Sequence, residues 1–551
     1  MKIQIRNIIV LLTILGQGHL LAQKQLNKEV QVVKDYIPSV SDANKINKLP
    51  EINDTIIVKP AFTYNISPKP VKTYFKTEPL KAAKMVGEPL SDLYGKYIKA
   101  GIGNYFTPII IASIHNLRSK EYSFGAYYKH LSSAGKIKLQ NNKKVFAGYF
   151  DEQLTAYGKK FYKNAFFSSD IGFEGYGRHY YGYNPDVDTI LNKNKIKKRM
   201  FGVNFNSQIK SNYTDSLHLN YNLQLNYFYF TDNYENFENN YTIKGQFNKF
   251  YNTDNFGGDV IINYVDNSFI LDSSDIFNFK LSPWIGKNST RWQVKAGLNI
   301  VYNSYADESG ILFYPVALLQ YNIVNNYAVP YAGIDGGLNN NNLKSIALEN
   351  PFYNKNIQLS QTDIKFRLYG GIKGNINNIT SFNIRGSYSS IDNMYFFTND
   401  SSSLFNTFGF EYDDVEVKNL FAEFETSPAT NFIVGIKGNY YGYKLLKLSK
   451  AWHKPKYDFT IWWYYKLQDK IYFNSEIFIT GQKYVKNILI QPDEFDVIES
   501  VVDLNLSIEY NYTKQISAFI KLNNILGNSY YYWYYYPTQK FNFIVGASYK
   551  F

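Results

Sequence analysis

A chain of 551 residues with no cysteine has no disulfide, no thiolate metal site, no cysteine nucleophile and no lipoprotein anchor. Its 52 Tyr and 41 Phe raise the aromatic share to 18%, yet the mean hydropathy is −0.33. That polarity excludes a bundle of membrane-spanning helices but fits strands with one lipid-facing and one water-facing side. The net charge of +13 suits an anionic ligand or the phosphates of surface glycolipid, and without a basic stripe on a binding fold it is no nucleic-acid signature.

Lys2 and Arg6 precede the apolar run Ile8 to Leu15, and Leu20-Leu21-Ala22 offers a cleavage site before Gln23. Residues 1–22 therefore read as a secretory signal peptide, too short to span a bilayer. Residues 23–95 carry prolines at 38, 50, 60, 68, 70, 79 and 89 and few aromatics, which marks an extended periplasmic or lumenal segment.

Residues 96–551 change character. In Leu217 to Tyr227 every odd position is apolar and every even one polar, and Val502 to Tyr512 repeats the alternation, the period of half-buried strands. Short breaks (Tyr162 to Asn164, Asn212 to Ser216, Thr253-Asp254, Asn325-Asn326, Ser427 to Thr430, Gln468-Asp469, Tyr512 to Lys514) alternate with long ones. The long ones are Ser133 to Lys144, Asn184 to Lys198, Asn339 to Leu359, Asn393 to Asp413, Leu445 to Lys456, Asn487 to Ser500 and Gly527 to Gln539. Short turns on one side and long loops on the other are the mark of an outer-membrane barrel. The fold class is all-β, a transmembrane antiparallel β-barrel of about 22 strands (20–22); a secreted sandwich or propeller is the competing reading. A barrel that wide leaves a lumen that side chains cannot fill, so something should occupy the pore.

The last strand puts Phe541, Phe543, Val545, Ala547, Tyr549 and Phe551 on one face and Asn542, Gly546, Ser548 and Lys550 on the other, with Ile544 as the exception. It reads as the closing strand, and Tyr549 and Phe551 as the signal for assembly. Gly101 and Gly103 suggest close backbone approach at the wall. The basic run Lys193, Lys195, Lys197, Lys198, Arg199 reads as a solvated loop. In Tyr530 to Tyr536, the rings of Tyr530, Tyr532, Trp533, Tyr534 and Tyr536 form either a ligand-stacking surface at the mouth or an interfacial girdle, with the girdle favoured.

Catalysis needs a nucleophile, a base and an orienting group. The histidines after residue 22 are His115, His130, His179, His218 and His453, on separate segments, and no metal-binding, nucleophile-elbow or phosphate-loop motif is present. Ser132 lies two residues from His130 and can share its side of a strand, with Ser133 beside it, but no positioned acid is visible, so a strand-to-loop rim is the reading. Asp186 and Asp188 make a poor calcium site beside five cationic neighbours. The chain is read as a non-enzyme with no catalytic, cofactor-binding or metal residues and no cofactor.

Phe519-Ile520-Lys521-Leu522-Asn523-Asn524-Ile525-Leu526, then Tyr530, Tyr536-Pro537 and the terminal strand to Phe551, resemble the end of the TonB-dependent receptor barrel family. Ala451-Trp452-His453-Lys454-Pro455 with Asp469-Lys470 is also similar to that family's late barrel. Gly87-Glu88-Pro89-Leu90, Tyr97 to Tyr105, Thr107-Pro108, Arg118-Ser119-Lys120 and Lys129 to Ser133 are similar to Bacteroidetes members of the group. The resemblance covers residues 30–150 and 440–551. It implies gated transport of a polar or bulky solute; the alternatives are a non-transporting scaffold of an outer-membrane complex and, more weakly, a passive porin. Asp54-Thr55-Ile56-Ile57-Val58 is similar to the family's TonB-coupling box, although an ordinary β-branched segment is the favoured reading. Residues 23–95 do not look like the family's globular plug. The partners implied are outer-membrane lipid and lipopolysaccharide, the outer-membrane assembly machinery and TonB or another periplasmic protein, with no nucleic acid.

Overall fold

The computed structural model describes residues 93–551 except 184–191, 214–216, 252, 270–274, 307, 325–326, 378, 401–406 and 487–494. Residues 1–22, read above as a signal peptide, the segment 23–95 up to residue 92 with its Asp54 to Val58 stretch, and Asp186 and Asp188 lie outside the described residues.

Twenty-two antiparallel strands form one sheet. The first, Lys96–Gly103, pairs along one edge with Thr107–His115 and along the other with the last, Asn542–Lys550, so the sheet closes and leaves no free edge. Closure extends to the chain end, where the Phe551 N–H donates to the Lys96 carbonyl at 2.9 Å. At this seam a Cβ on Gly546 would lie 2.1 Å from the Ala100 carbonyl oxygen, and one on Gly101 would lie 2.8 Å from the Phe519 ring. Glycine is required there because backbone and ring fill the space a side chain would need.

Alternation sorts each strand into a lipid face and a lumenal face. In Asn220–Asp232, Leu223 and Leu225 point outward beside Ile209 and Ile243 of the neighbouring strands. On the inner face Gln208 donates to Asn222 at 2.7 Å and Asn222 to Gln246 at 2.8 Å, an amide ladder that satisfies polar groups across three strands. Ile544 departs from the polar inner row for a local reason: it packs with Ile109 and Phe519 in a small apolar cluster inside the seam.

The short breaks expected from sequence lie at the end of the barrel that holds Phe551, the periplasmic end by their length. The long ones lie at the other, which also carries the short connections after Gly103, Asp232 and Tyr305. Some boundaries differ from expectation. The Leu217 to Tyr227 pattern begins as strand only at Asn220. The break expected over Asn393 to Asp413 is mostly strand, because Met394 to Asn399 and Phe408 to Asp413 continue to pair above a bulge. Phe397 and Phe408 there enter one apolar cluster, while Phe396 packs with Val415 and Trp452 in another.

Candidate functional site at the mouth of the barrel

Described parts of several long loops do not stand free. They converge over the opening and build an apolar core from Tyr180, Leu343, Ile346, Phe352, Tyr353, Ile357, Phe397, Phe408, Trp533 and Tyr536, among others. Six of these side chains, Leu343, Ile346, Tyr353, Ile357, Phe397 and Phe408, are fully shielded from water. Burial on this scale requires residues distant in sequence to meet, and each aromatic ring removes a large apolar area from water.

The inward fold of residues 340–361 is central. Its helix, Leu343–Glu349, begins at Asn342, whose side chain accepts from the Ser345 N–H at 2.8 Å in a reciprocal cap. The helix is tied to the wall and to a neighbouring loop. The Leu343 N–H donates to Glu238 at 2.7 Å, Lys344 pairs with Glu174 at 2.5 Å, and Lys454 pairs with Glu349 at 2.9 Å. Beyond it Tyr353 donates to Asp232 at 2.7 Å, while its own carbonyl accepts from Tyr180 at 2.9 Å and Lys198 at 3.2 Å. Burial, reinforced by Asp232, holds the Tyr353 phenol well above its usual range, so it remains a donor. The Lys198 and Asp232 side chains are completely buried, 4.0 Å apart, so each must find its polar partners inside the cap.

The aromatic loop supplies the other half of the cap. Asn524 ties its ends together, donating to the Asn528 and Gln539 carbonyls at 2.7 and 3.0 Å. A small hairpin, Tyr531–Trp533 with Tyr536–Pro537, then buries the rings of Trp533 and Tyr536. Tyr536 stacks on Phe352 with centroids 3.7 Å apart, and Trp533 meets Phe397 edge-on at 5.0 Å. His453 is buried beside Trp533, its Nδ1 2.7 Å from the Phe397 carbonyl, and burial pushes its pKa down to about 3. Asp413 holds the adjacent loop by accepting the backbone N–H groups of Leu446, Lys447 and Leu448.

Below the cap the lumenal wall is polar. Lys244, Lys280, Asn263 and Asn278 line a recess with Asp335 and Arg367, the last two in a bidentate pair at 2.9 and 2.7 Å. Among the described residues, no group of three or more His, Asp or Glu side chains converges on a metal position.

The structure distributes the residues singled out in the sequence as follows. Trp533 and Tyr536 lie inside the cap core, 6% and 2% exposed, so neither ring reaches the lipid headgroups nor offers a free face to a ligand. Tyr530 donates to Asp503 and Tyr534 to Asp496. Tyr532 is half exposed, with the Lys483 ammonium 3.9 Å over its ring. Tyr549 and Phe551 meet edge-on at 4.4 Å at the periplasmic end. Lys198, expected in a solvated basic loop, is instead an inward position of the strand Lys197–Ser211 and sits under Tyr353; alternation, not local charge density, sets its environment. His130 has an acid beside it after all: its Nδ1 is 3.0 Å from Glu152 Oε1. The roles of Asp232, Glu238, Tyr353 and Glu152 were missed because strand register, not local motif, brings them into place. For Glu152 the signal was there: antiparallel pairing across the loop 134–148 sets it opposite His130.

No protein-family model matches the chain, and no curated protein matches it in sequence. Among solved structures, 84% of the chain superposes on 82% of the FrpB iron transporter from Neisseria meningitidis (F3-3 variant), with a TM-score of 0.66 at 8% identity. It likewise covers 79% of the pyoverdine outer membrane receptor FpvA from Pseudomonas aeruginosa PAO1, with a TM-score of 0.61 at 10% identity. For the ferric-catecholate import receptor Fiu from E. coli K12 the values are 82%, 0.60 and 8%. At these identities the likeness is one of fold. The chain is a 22-strand outer-membrane β-barrel of the architecture these receptors share.

Proposed function

We propose that this barrel transports a polar or bulky solute across the outer membrane, in the manner of TonB-dependent receptors, through a lumen gated at its outer mouth. The observation that carries the reading is the cap: residues 340–361 and the aromatic loop close the opening with a packed core above a lumen lined by amides and charged groups. A passive porin needs an open mouth, so the cap argues for gating. The solved structures of similar fold include an iron transporter, a pyoverdine receptor and a ferric-catecholate import receptor, which supports uptake as the class of activity.

The test is conductance of the purified protein in planar bilayers, with and without residues 343–357. A closed baseline that opens on truncation, with loss of solute retention, supports the gate. A barrel equally closed in both forms favours the second reading, a non-transporting scaffold, which the complete burial of Leu343, Tyr353 and Phe408 also suits. Energy coupling rests on Asp54 to Val58: TonB binding should fall on Ile57→Pro, and unchanged binding removes the coupled version. Tyr549 and Phe551, at the exposed periplasmic chain end, are the proposed contact for the assembly machinery. Lipopolysaccharide is the proposed partner of the outer wall.

A further inference from the structure

Outside the lumen, on the lipid-facing wall near the mouth, three polar side chains form a hydrogen-bonded chain. His130 and Ser132 are two residues apart on the strand Tyr122–Ser133 and so share a face. That face is the outer one: His130 pairs with Ile110, exposed on the outer wall, whereas Leu131 turns inward against the seam cluster. Glu152, on the strand Tyr149–Phe161, lies directly across from His130.

The distances connect all three groups. His130 Nδ1 is 3.0 Å from Glu152 Oε1, and His130 Nε2 is 3.0 Å from Ser132 Oγ. An ionised carboxylate only accepts, so Nδ1 carries the proton, donates to Glu152, and leaves the Nε2 lone pair to accept the Ser132 hydroxyl. This is the tautomer that makes Nε2 a base toward the serine, with the acid holding the ring in place. Both side chains of the acid–base pair reach the outside, His130 at 22% and Glu152 at 48% exposure. Leu154 and Ile110 flank them, 44% and 40% exposed, so an acyl chain has an apolar wall to lie on. Ser132 is the penultimate residue of its strand, at the end where the long connection 134–148 begins, and polar side chains toward a membrane interface carry little of the cost they would have at the midplane.

We propose that Ser132, His130 and Glu152 form a nucleophile, general base and orienting acid that cleaves carboxylic esters of outer-leaflet lipids. Ser132 Oγ adds to the ester carbonyl carbon as its proton passes to His130 Nε2. The bond from that carbon to the alcohol oxygen breaks, and the alcohol leaves with the proton. Water then adds to the acyl-serine, giving its proton to His130; the acyl–Oγ bond breaks, Oγ recovers the proton, and the carboxylic acid departs. Glu152 holds Nδ1–H throughout and stabilises the imidazolium. The assignment is independent of the transport reading, since the site and the lumen lie on opposite faces of the wall.

The test is labelling of the full-length folded protein, in detergent micelles, with a fluorophosphonate probe, read by peptide mass spectrometry, alongside fatty-acid release from phosphatidylethanolamine mixed micelles. Folding of each variant is checked by heat-modifiable gel mobility. Label should appear on Ser132, vanish in Ser132→Ala, and form at least about 100-fold more slowly in Glu152→Gln. Ser133→Ala, at the inward-facing neighbour, should label like the parent. Folded parent protein without label at Ser132 overturns the proposal and leaves a rim hydrogen-bond cluster; label without fatty-acid release overturns the assignment of lipid esters.

Discussion

The wall and the mouth draw on the same aromatic-rich composition and use it in opposite ways. In the wall, Phe167, Phe173, Phe247 and Phe256 turn outward and stay exposed to lipid, while the backbone ladder holds the strands. At the mouth, Phe352, Phe397, Phe408 and Tyr536 turn toward one another, and side chains do the holding. The wall is thus redundant, since each strand pairs with two neighbours, over as few as four residues between Glu308–Tyr321 and Val329–Asn339. The cap depends on a few fully buried groups brought together from far apart in the chain. A region of the second kind can open without unfolding the first, as a gate requires.

The largest effect expected at the mouth is from Tyr353→Ala. This substitution removes a fully buried ring and its bond to Asp232, a loss of about 3–5 kcal/mol by analogy with other buried aromatics. Hydrogen exchange should accelerate across residues 343–357 and stay unchanged in the wall strand Ile516–Asn523. Equal acceleration in both would break the distinction between a separable cap and its barrel. A smaller, conditional effect comes from His453, whose imidazole is driven by burial from 6.5 to about 3. Between those values the opened state binds the proton and the closed state does not, so cap stability is complete above about pH 6.5 and falls as pH drops toward 3. Trp533 fluorescence should report acid loosening, and His453→Phe should shift that transition to lower pH; an unmoved transition would assign it to the carboxylates instead.

Period-2 alternation made the wall legible from sequence, because strand geometry ties each residue's facing to its parity, as Leu223 against Asn222 shows. Counting the alternating segments gives the strand number, and the alternation of short breaks with long ones separates the two ends. The cap was illegible for a complementary reason. Nothing near Tyr536 in the chain predicts Phe352 as its stacking partner, and the Tyr530 to Tyr536 run reads locally as interfacial aromatics. Lys198 shows the same limit: five cations in seven residues look solvated until the register turns one of them inward onto Asp232. His130 and Ser132 were visible as a pair, and only the pairing of two strands across a loop adds Glu152.

The smallest effect is expected from Glu349→Gln. Glu349 is an outer tie of the cap, pairing with Lys454 at 2.9 Å where the two side chains retain 36% and 18% exposure; it also accepts from Tyr395 at 2.5 Å. A partly solvated pair of this kind contributes at most about 1 kcal/mol and is weakened by salt, and glutamine keeps an acceptor for Tyr395. Exchange in residues 343–357 should therefore rise only a few-fold, and raising the ionic strength should erase most of the difference from the parent. If Glu349→Gln instead loosened the cap as far as Tyr353→Ala does, the rim charges would be the latch and the buried rings only filling. Gate opening would then follow ionic strength, a dependence that a cap held by apolar burial lacks.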